Sequence, residues 1–209
     1  MDKKVSISVI NRLPRYYRYL TDMLSSGTER VSSRELSERM GVTASQIRQD
    51  LNCFGGFGQQ GYGYNVKTLR CEIAKILGLD RGNTAVLVGA GNMGRTFATN
   101  TKFESRGFHL IGIFDNNPKV IGSKINGLEV QDYLNIKSFI DEYKPKIAIL
   151  TVPKEAMQDV ANELIGYGIK AFLNFSYTEL SAIEGISVEN VHLSDSLMRL
   201  SYKILENSD

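Results

Sequence analysis

Ala85-Val86-Leu87-Val88-Gly89-Ala90-Gly91-Asn92-Met93-Gly94 is an apolar, β-branched run that leads straight into G-x-G-x-x-G. About twenty residues on, Ile111-Gly112-Ile113-Phe114-Asp115 is a second apolar run, and it ends in a carboxylate. Strand, glycine turn, helix, strand, acid is the order a dinucleotide-binding βαβ unit requires. Gly89 allows the tight turn, Gly91 lets backbone approach a pyrophosphate, and Gly94 lets the helix lie against the sheet. Ala90, Asn92 and Met93 fill the remaining positions, and a helix starting near Asn92 aims unpaired N–H groups and a positive dipole end at the phosphates. Asp115 accepts from ribose hydroxyls and repels a 2′-phosphate, favouring NAD(H) over NADP(H), while Lys119 stands near enough to blur that preference. The plain alternative is a ligand-free glycine turn followed by an ordinary strand-end acid.

Working outward, the 209 residues allow two small domains, and 42% hydrophobic with 23% charged residues is ordinary globular composition. Two cysteines, Cys53 and Cys71, make no disulfide framework and no metal cluster, so no metal is expected. No apolar run is long enough to span a membrane, and Met1-Asp2-Lys3-Lys4 lacks a signal-peptide core, so a cytoplasmic protein is expected. The net charge of +2 is unevenly divided. Residues 1–80 hold 12 Lys and Arg against 8 Asp and Glu, whereas residues 81–209 hold 13 against 15. The basic half is the one expected to meet a polyanion.

In that half, Val9 to Leu24 reads as one helix with Pro14 near its start, carrying Arg12, Arg15 and Arg18 along one side among Tyr16, Tyr17 and Tyr19. Ser32 or Ser33 followed by an acid opens a helix through Met40, Gly41 ends it, and Thr43 caps a second helix with Ile47 and Leu51 inward. Two short helices around a glycine turn make a helix-turn-helix. On the second, Ser45, Gln46, Arg48 and Gln49 face outward, and Arg suits guanine as Gln suits adenine. An amphipathic helix with a polar face is the bland reading. Residues 54–66 put five glycines among Phe57, Gln59, Gln60, Tyr62 and other side chains, which suits a β-hairpin wing beside DNA. Val66 to Leu79 forms a further helix, and 78–83 is the boundary, giving a DNA-binding domain over residues 1–80.

Residues 81–191 read as the nucleotide domain. Pro118 to Gly127 is a polar loop, Ile136–Tyr143 and Met157–Ile165 are helices, and Lys146–Pro153 and Ala171–Ser176 are strands. In a doubly wound sheet Thr151, Val152, Pro153, Asn174 and Phe175 end on the edge that carries Gly89 and Asp115, bordering the nicotinamide half. Asn174 is the expected carboxamide partner, its alternative a strand-end turn residue. Residues 192–209 hold an apolar-periodic helix, Leu193 to Leu205, with a stripe to bury, and a partner subunit would place two reading helices on a palindromic site.

Arg-Leu-Pro-Arg-Tyr-Tyr-Arg at 12–18, Ala-Ser-Gln-Ile-Arg-Gln-Asp-Leu at 44–51, Phe-Gly-Gln-Gln-Gly-Tyr-Gly-Tyr-Asn-Val at 57–66, Gly-Ala-Gly-Asn-Met-Gly at 89–94, Ile-Leu-Thr-Val-Pro at 149–153 and Leu-Asn-Phe at 173–175 occur in one order. The series resembles the Rex family of redox-sensing transcriptional repressors over nearly the whole chain. The resemblance implies an α/β fold class with an N-terminal winged-helix domain and a Rossmann-like parallel sheet, and a homodimer whose C-terminal helices are exchanged between subunits. It implies binding of NADH and NAD+, and of palindromic double-stranded operator DNA that rising NADH releases, derepressing genes for NADH reoxidation. It also implies a coupling device in which a tyrosine after the glycine loop and an aspartate opening the last helix engage an arginine of the DNA domain. Here Asn100 and His192, beside Leu193, stand at the first two positions, and Arg18 at the third. The rivals are a small NAD-dependent dehydrogenase, disfavoured because His109 and His192 have no evident acid–base partner, and a Rossmann module for coenzyme A, against which Asp115 argues.

Overall fold

The computed structural model describes residues 5–55, 58–59, 62–99, 101–180 and 183–207. The chain divides into two compact units, residues 1–81 and 82–209, so the C-terminal helix groups with the second unit.

In the first unit the arginine-rich stretch is two helices, α1 (Ile7–Ile10) and α2 (Leu13–Ser25), rather than one. Pro14 explains the break: it sits in the first turn of α2, where its missing N–H has no helical partner to lose. β1 (Arg30–Val31) leads to α3 (Ser33–Met40), which opens with a capping box between Ser32 and Glu35 and closes on Gly41 at φ 63°. α4 (Ala44–Asn52) starts where the Thr43 side chain accepts from the Gln46 N–H. β2 (Gly58–Gln59) and β3 (Gly63–Asn65) form the hairpin, and β3 lies between β1 and β2 in an antiparallel sheet. Gly63 is required there, since at φ +69° a Cβ would stand 2.6 Å from the Val31 carbonyl oxygen. α5 (Val66–Ile76) ends three residues sooner than expected, as Gly78 turns left-handed at φ 66°. Leu13, Tyr16, Leu20, Leu36, Ile47, Leu51, Leu69 and Ile73 form the core of this winged helix-turn-helix.

The second unit opens with β4 (Asn83–Val88), α6 (Asn92–Ala98) and β5 (Phe108–Asp115). The expected polar loop then contains β6 (Lys124–Ile125), folded back antiparallel on β7 (Leu128–Asp132). Asn126 and Gly127 both take positive φ, 49° and 83°, which is the backbone of a tight two-residue hairpin. α7 (Ile136–Tyr143), β8 (Ile147–Leu150), α8 (Lys154–Gly166) and β9 (Ala171–Asn174) follow, then β10 (Ser187–Asn190), which sequence reading passed over, and α9 (Leu193–Glu206). The sheet order is β10-β9-β8-β4-β5-β7-β6, parallel except for β6.

One face of the sheet, through Val86, Val88, Phe114, Ala148 and Leu150, is covered by Ile136 and Ile140 of α7 and Met157, Ala161 and Leu164 of α8. The other face carries Ala85, Leu87, Ile113 and Ile149 and includes an apolar groove of about 510 Å³ walled by Phe97, Phe103, Leu110, Ile149, Leu173 and Val188. No residue of α9 is buried. Among the described residues no helix is long and apolar enough to cross a membrane, and no group of acids, histidines and cysteines gathers to hold a metal.

Candidate functional site

The chain leaves β4 for β5 on one side and later returns to β8 on the other, so β4 borders the topological switch point. Asp115 ends β5, while Gly89, Thr151, Phe175 and Val191 each follow the last residue of a parallel strand, and all five share one sheet edge. A cleft of about 630 Å³ opens there, and Gly89, Gly91, Met93, Asp115, Thr151, Val152, Pro153 and Phe175 all line it.

The three glycines have different causes. A Cβ on Gly94 would lie 1.9 Å from the Gly89 oxygen, and one on Gly89, at φ +100°, 2.7 Å from the Thr151 oxygen. Both are dictated by the fold itself. Gly91 has an ordinary φ of −69° and its Cβ would meet nothing within 4 Å, yet the residue lines the cleft. A glycine at this N-cap leaves the backbone open to close approach from the cleft side. The loop is held from behind: Thr151 Oγ1 donates to the Gly89 oxygen at 2.7 Å and Arg95 Nε to the Ala90 oxygen at 3.0 Å. Ala90 is fully buried beneath it, while Asn92 begins α6 at the surface.

Asp115 Oδ2 accepts from the Ala90 N–H at 2.6 Å and Oδ1 from the Asn117 N–H at 2.8 Å. Each oxygen retains a further lone pair, so the acid can orient the loop and still accept from a ligand. Lys119 is exposed and is not among the residues that line the cleft, although Asn116 and Asn117 are.

Asn174 requires a correction. It is fully buried and its amide is used up: Nδ2 donates to the Thr178 oxygen at 2.8 Å and to Asn190 Oδ1 at 2.7 Å, and Oδ1 accepts from the Ser176 N–H at 2.9 Å. It is the pin of a turn, with both amide hydrogens spent, and it is not among the residues that line the cleft. Conversely, Tyr133, Lys154, Ser176 and Tyr177 line the cleft without having been picked out from the sequence, and His192 and Leu193, expected in a coupling role, line it too. Tyr133 donates from Oη to Glu163 at 2.6 Å; burial, then that bond, pushes its phenol well above the usual range.

In the first unit Ser45, Arg48 and Gln49 of α4 are exposed, and Arg48 Nη1 donates to Ser33 Oγ at 3.2 Å. The arginine and tyrosine expected beside them on DNA turn inward instead. Arg12 grips Asp50 with two bonds, Nε to Oδ2 at 2.7 Å and Nη2 to Oδ1 at 2.8 Å, and the fully buried Tyr16 donates to Oδ2 at 3.0 Å. Gln46 Nε2 completes the set at 2.8 Å from Oδ1. Burial alone would raise the Asp50 carboxyl, but the bonds from Arg12, Gln46 and Tyr16 outweigh it and hold the group below its usual value. Arg12 and Tyr16 are therefore fixtures that tie α2 to α4, and Gln46 is half-buried in the same knot. Arg15 spends one donor on the Met40 carbonyl at the end of α3. Arg18 is exposed, its guanidinium 5.6 Å from the Tyr19 ring centroid. On the wing Tyr62 is exposed and Arg30 lies over it, donating to its carbonyl at 3.2 Å. Phe57, Gln60, Asn100 and the side chain of Gln59 lie outside the described residues.

A winged helix-turn-helix unit and a doubly wound unit with a cleft at its switch point define a DNA-binding regulator with a nucleotide-type domain. Residues 4–52 match the family described as "Putative DNA-binding protein N-terminus", and residues 80–178 the family described as "CoA binding domain". The chain is 54% identical over 203 residues to the redox-sensing transcriptional repressor Rex of Thermoanaerobacter pseudethanolicus, covering 97% of this chain and 91% of that one. It is 51% identical to the protein of the same name from Clostridium beijerinckii, covering 98% and 97%. Among solved structures, RSP in complex with β-NAD+ and operator DNA superposes with a TM-score of 0.91 at 52% identity, covering 99% of this chain and 95% of that one. RSP in complex with β-NADH gives 0.90 at 50%, covering 99% and 97%. The chain belongs to the Rex family of redox-sensing transcriptional repressors.

Proposed function

We propose that this chain represses transcription by holding operator DNA through its winged-helix unit, and that NADH in the cleft of the second unit releases the DNA while NAD+ does not. Gly91 carries the reading: a glycine that neither the fold nor its backbone angle demands, at the N-terminus of α6, where approaching phosphates account for it. The residues present fit a dinucleotide. Gly89 to Gly94 cradle the pyrophosphate, Asp115 accepts from the adenosine ribose, and Thr151, Val152, Pro153 and Phe175 border the nicotinamide. Asp115 and the likeness to RSP bound to β-NAD+ and β-NADH favour a nicotinamide dinucleotide over coenzyme A.

The work this chain does is allosteric and not enzymatic. His109 lies in β5 and His192 caps α9, and neither has a carboxylate to set it up for proton transfer among the described interactions. On the DNA side Ser45, Arg48 and Gln49 read base edges from the exposed face of α4, and Tyr62 and Arg30 reach the backbone from the wing. Two copies assemble into a homodimer by exchanging α9. Leu193, Leu197, Met198, Leu200, Ile204 and Leu205 are all exposed, and the apolar groove on the second face of the sheet remains open. Burying such side chains contributes ~1.5–3 kcal/mol each before association costs.

A palindromic operator retained in a gel shift, then challenged with NADH and with NAD+ in turn, tests the reading. Release by NADH at concentrations where NAD+ leaves the complex intact is expected. Equal release by both, or by neither, contradicts it.

A further inference from the structure

We infer that Ser176 is the residue that meets the nicotinamide carboxamide, a step that rests on the dinucleotide reading above. The acid that marks the adenosine half, Asp115, ends β5 on one side of the glycine loop; β8 and β9 lie on the other side, so the end of β9 borders the nicotinamide half. There the polar side chains sort by what they already do. Asn174 is fully buried with both amide hydrogens donated and Oδ1 turned to the Ser176 N–H, and Thr151 Oγ1 has its hydrogen committed to the Val88 and Gly89 carbonyls. His192 is half-exposed, so it can be satisfied without a ligand.

Ser176 differs from all three. It lines the cleft, is 3% exposed, and its Oγ is buried with no hydrogen-bond partner among the described residues. Buried hydroxyls are nearly always paired, and one left over beside a ligand cleft points to a partner the ligand brings. The local fold prepares it. Asn174 takes the Ser176 N–H and reaches across to the Thr178 carbonyl, while the Phe175 N–H bonds the Leu150 oxygen, so the turn that presents Ser176 is fixed from both ends. In the rotamer shown Oγ is closed off from the cleft; a χ1 step between staggered wells brings it out, and there the hydroxyl hydrogen rotates to donate to the oxygen or accept from the nitrogen of a carboxamide. Asn174 is then a positioning residue, acting through Ser176.

Full-length protein and its Ser176→Ala variant, titrated calorimetrically with NADH, NAD+ and ADP-ribose, test this. ADP-ribose carries the adenosine, pyrophosphate and second ribose but no nicotinamide. The variant is expected to bind NADH and NAD+ each about tenfold more weakly, as loss of one hydrogen bond implies, with ADP-ribose within about twofold of wild type. Both nicotinamide forms fall together because the carboxamide is common to them. The ligand-free variant is expected to melt at the wild-type temperature or above it, since it loses an unpaired polar group, which a merely structural serine would not do. Unchanged NADH affinity, or an equal loss for ADP-ribose, overturns the assignment while leaving the dinucleotide reading intact. Wild-type protein that binds none of the three overturns both.

Discussion

The polar residues of α4 and of the nucleotide cleft look equally exposed to function in a sequence, but the fold treats them in opposite ways. Around α4 they close on one another: Arg12, Tyr16 and Gln46 converge on Asp50, and nothing in that knot is left over. Around the cleft they stop short, leaving a glycine with space above it and a serine hydroxyl with no partner. A closed network marks what the protein needs in order to stand; an unfinished one marks where it expects company.

The contrast can be broken most sharply at Asp50. Asp50→Ala leaves the buried Arg12 contact without its anion and is expected to cost ~3–5 kcal/mol by denaturant unfolding, with operator binding lost alongside. A cost below ~1 kcal/mol would mean the knot is ornament. Because the folded-state carboxyl sits below its usual value, its contribution is full above the ordinary carboxylate range and fades as pH falls through the lowered value. The stability gap between wild type and Asp50→Ala should therefore narrow on acidification, measured as unfolding midpoints across an acid series. A gap that widens reverses the sign.

The glycines come next. Gly94→Ala drives a Cβ into the Gly89 carbonyl and is expected to lose ~1–3 kcal/mol or more of stability. Gly91→Ala, at the N-cap of α6, should lose no more than ~1 kcal/mol of stability yet bind NADH at least about tenfold more weakly, ~1.4 kcal/mol. If both lose stability equally, or both keep affinity, the separate causes given for them fail. Smallest in its effect on the fold is Arg48→Ala, within ~0.5 kcal/mol for an exposed site. Its operator affinity should drop by ~1–3 kcal/mol if it reads a base edge. Binding unchanged at several salt concentrations returns Arg48 to a solvated helix face.

Much of this was legible in the chain. The capping box at Ser32 and Glu35, the glycine turn at Gly41 and the glycine loop after β4 are local signals, and local physics decided them. Asn126-Gly127 is an equally local hairpin signal, set in a polar stretch whose composition alone reads as loop and masks β6. β10 gave little to read, because Ser-Val-Glu-Asn is half polar at a sheet edge. What no local pattern carries is pairing at a distance. Arg12 and Tyr16 were expected on DNA because their type and spacing suit it, and only the fold brings Asp50, on another helix, to claim them. Asn174 was expected on the ligand for the same reason, and Asn190 and the Thr178 carbonyl claimed it instead.

The central claim is that operator DNA and NADH are answered by one protein in opposite conformations, and linkage makes that measurable from either side. NADH affinity, titrated on the free protein and again with saturating operator, should be weaker in the presence of DNA by the same factor by which NADH weakens DNA binding, ~5–150-fold for the usual 1–3 kcal/mol of coupling. Identical NADH affinities with and without operator would contradict the account.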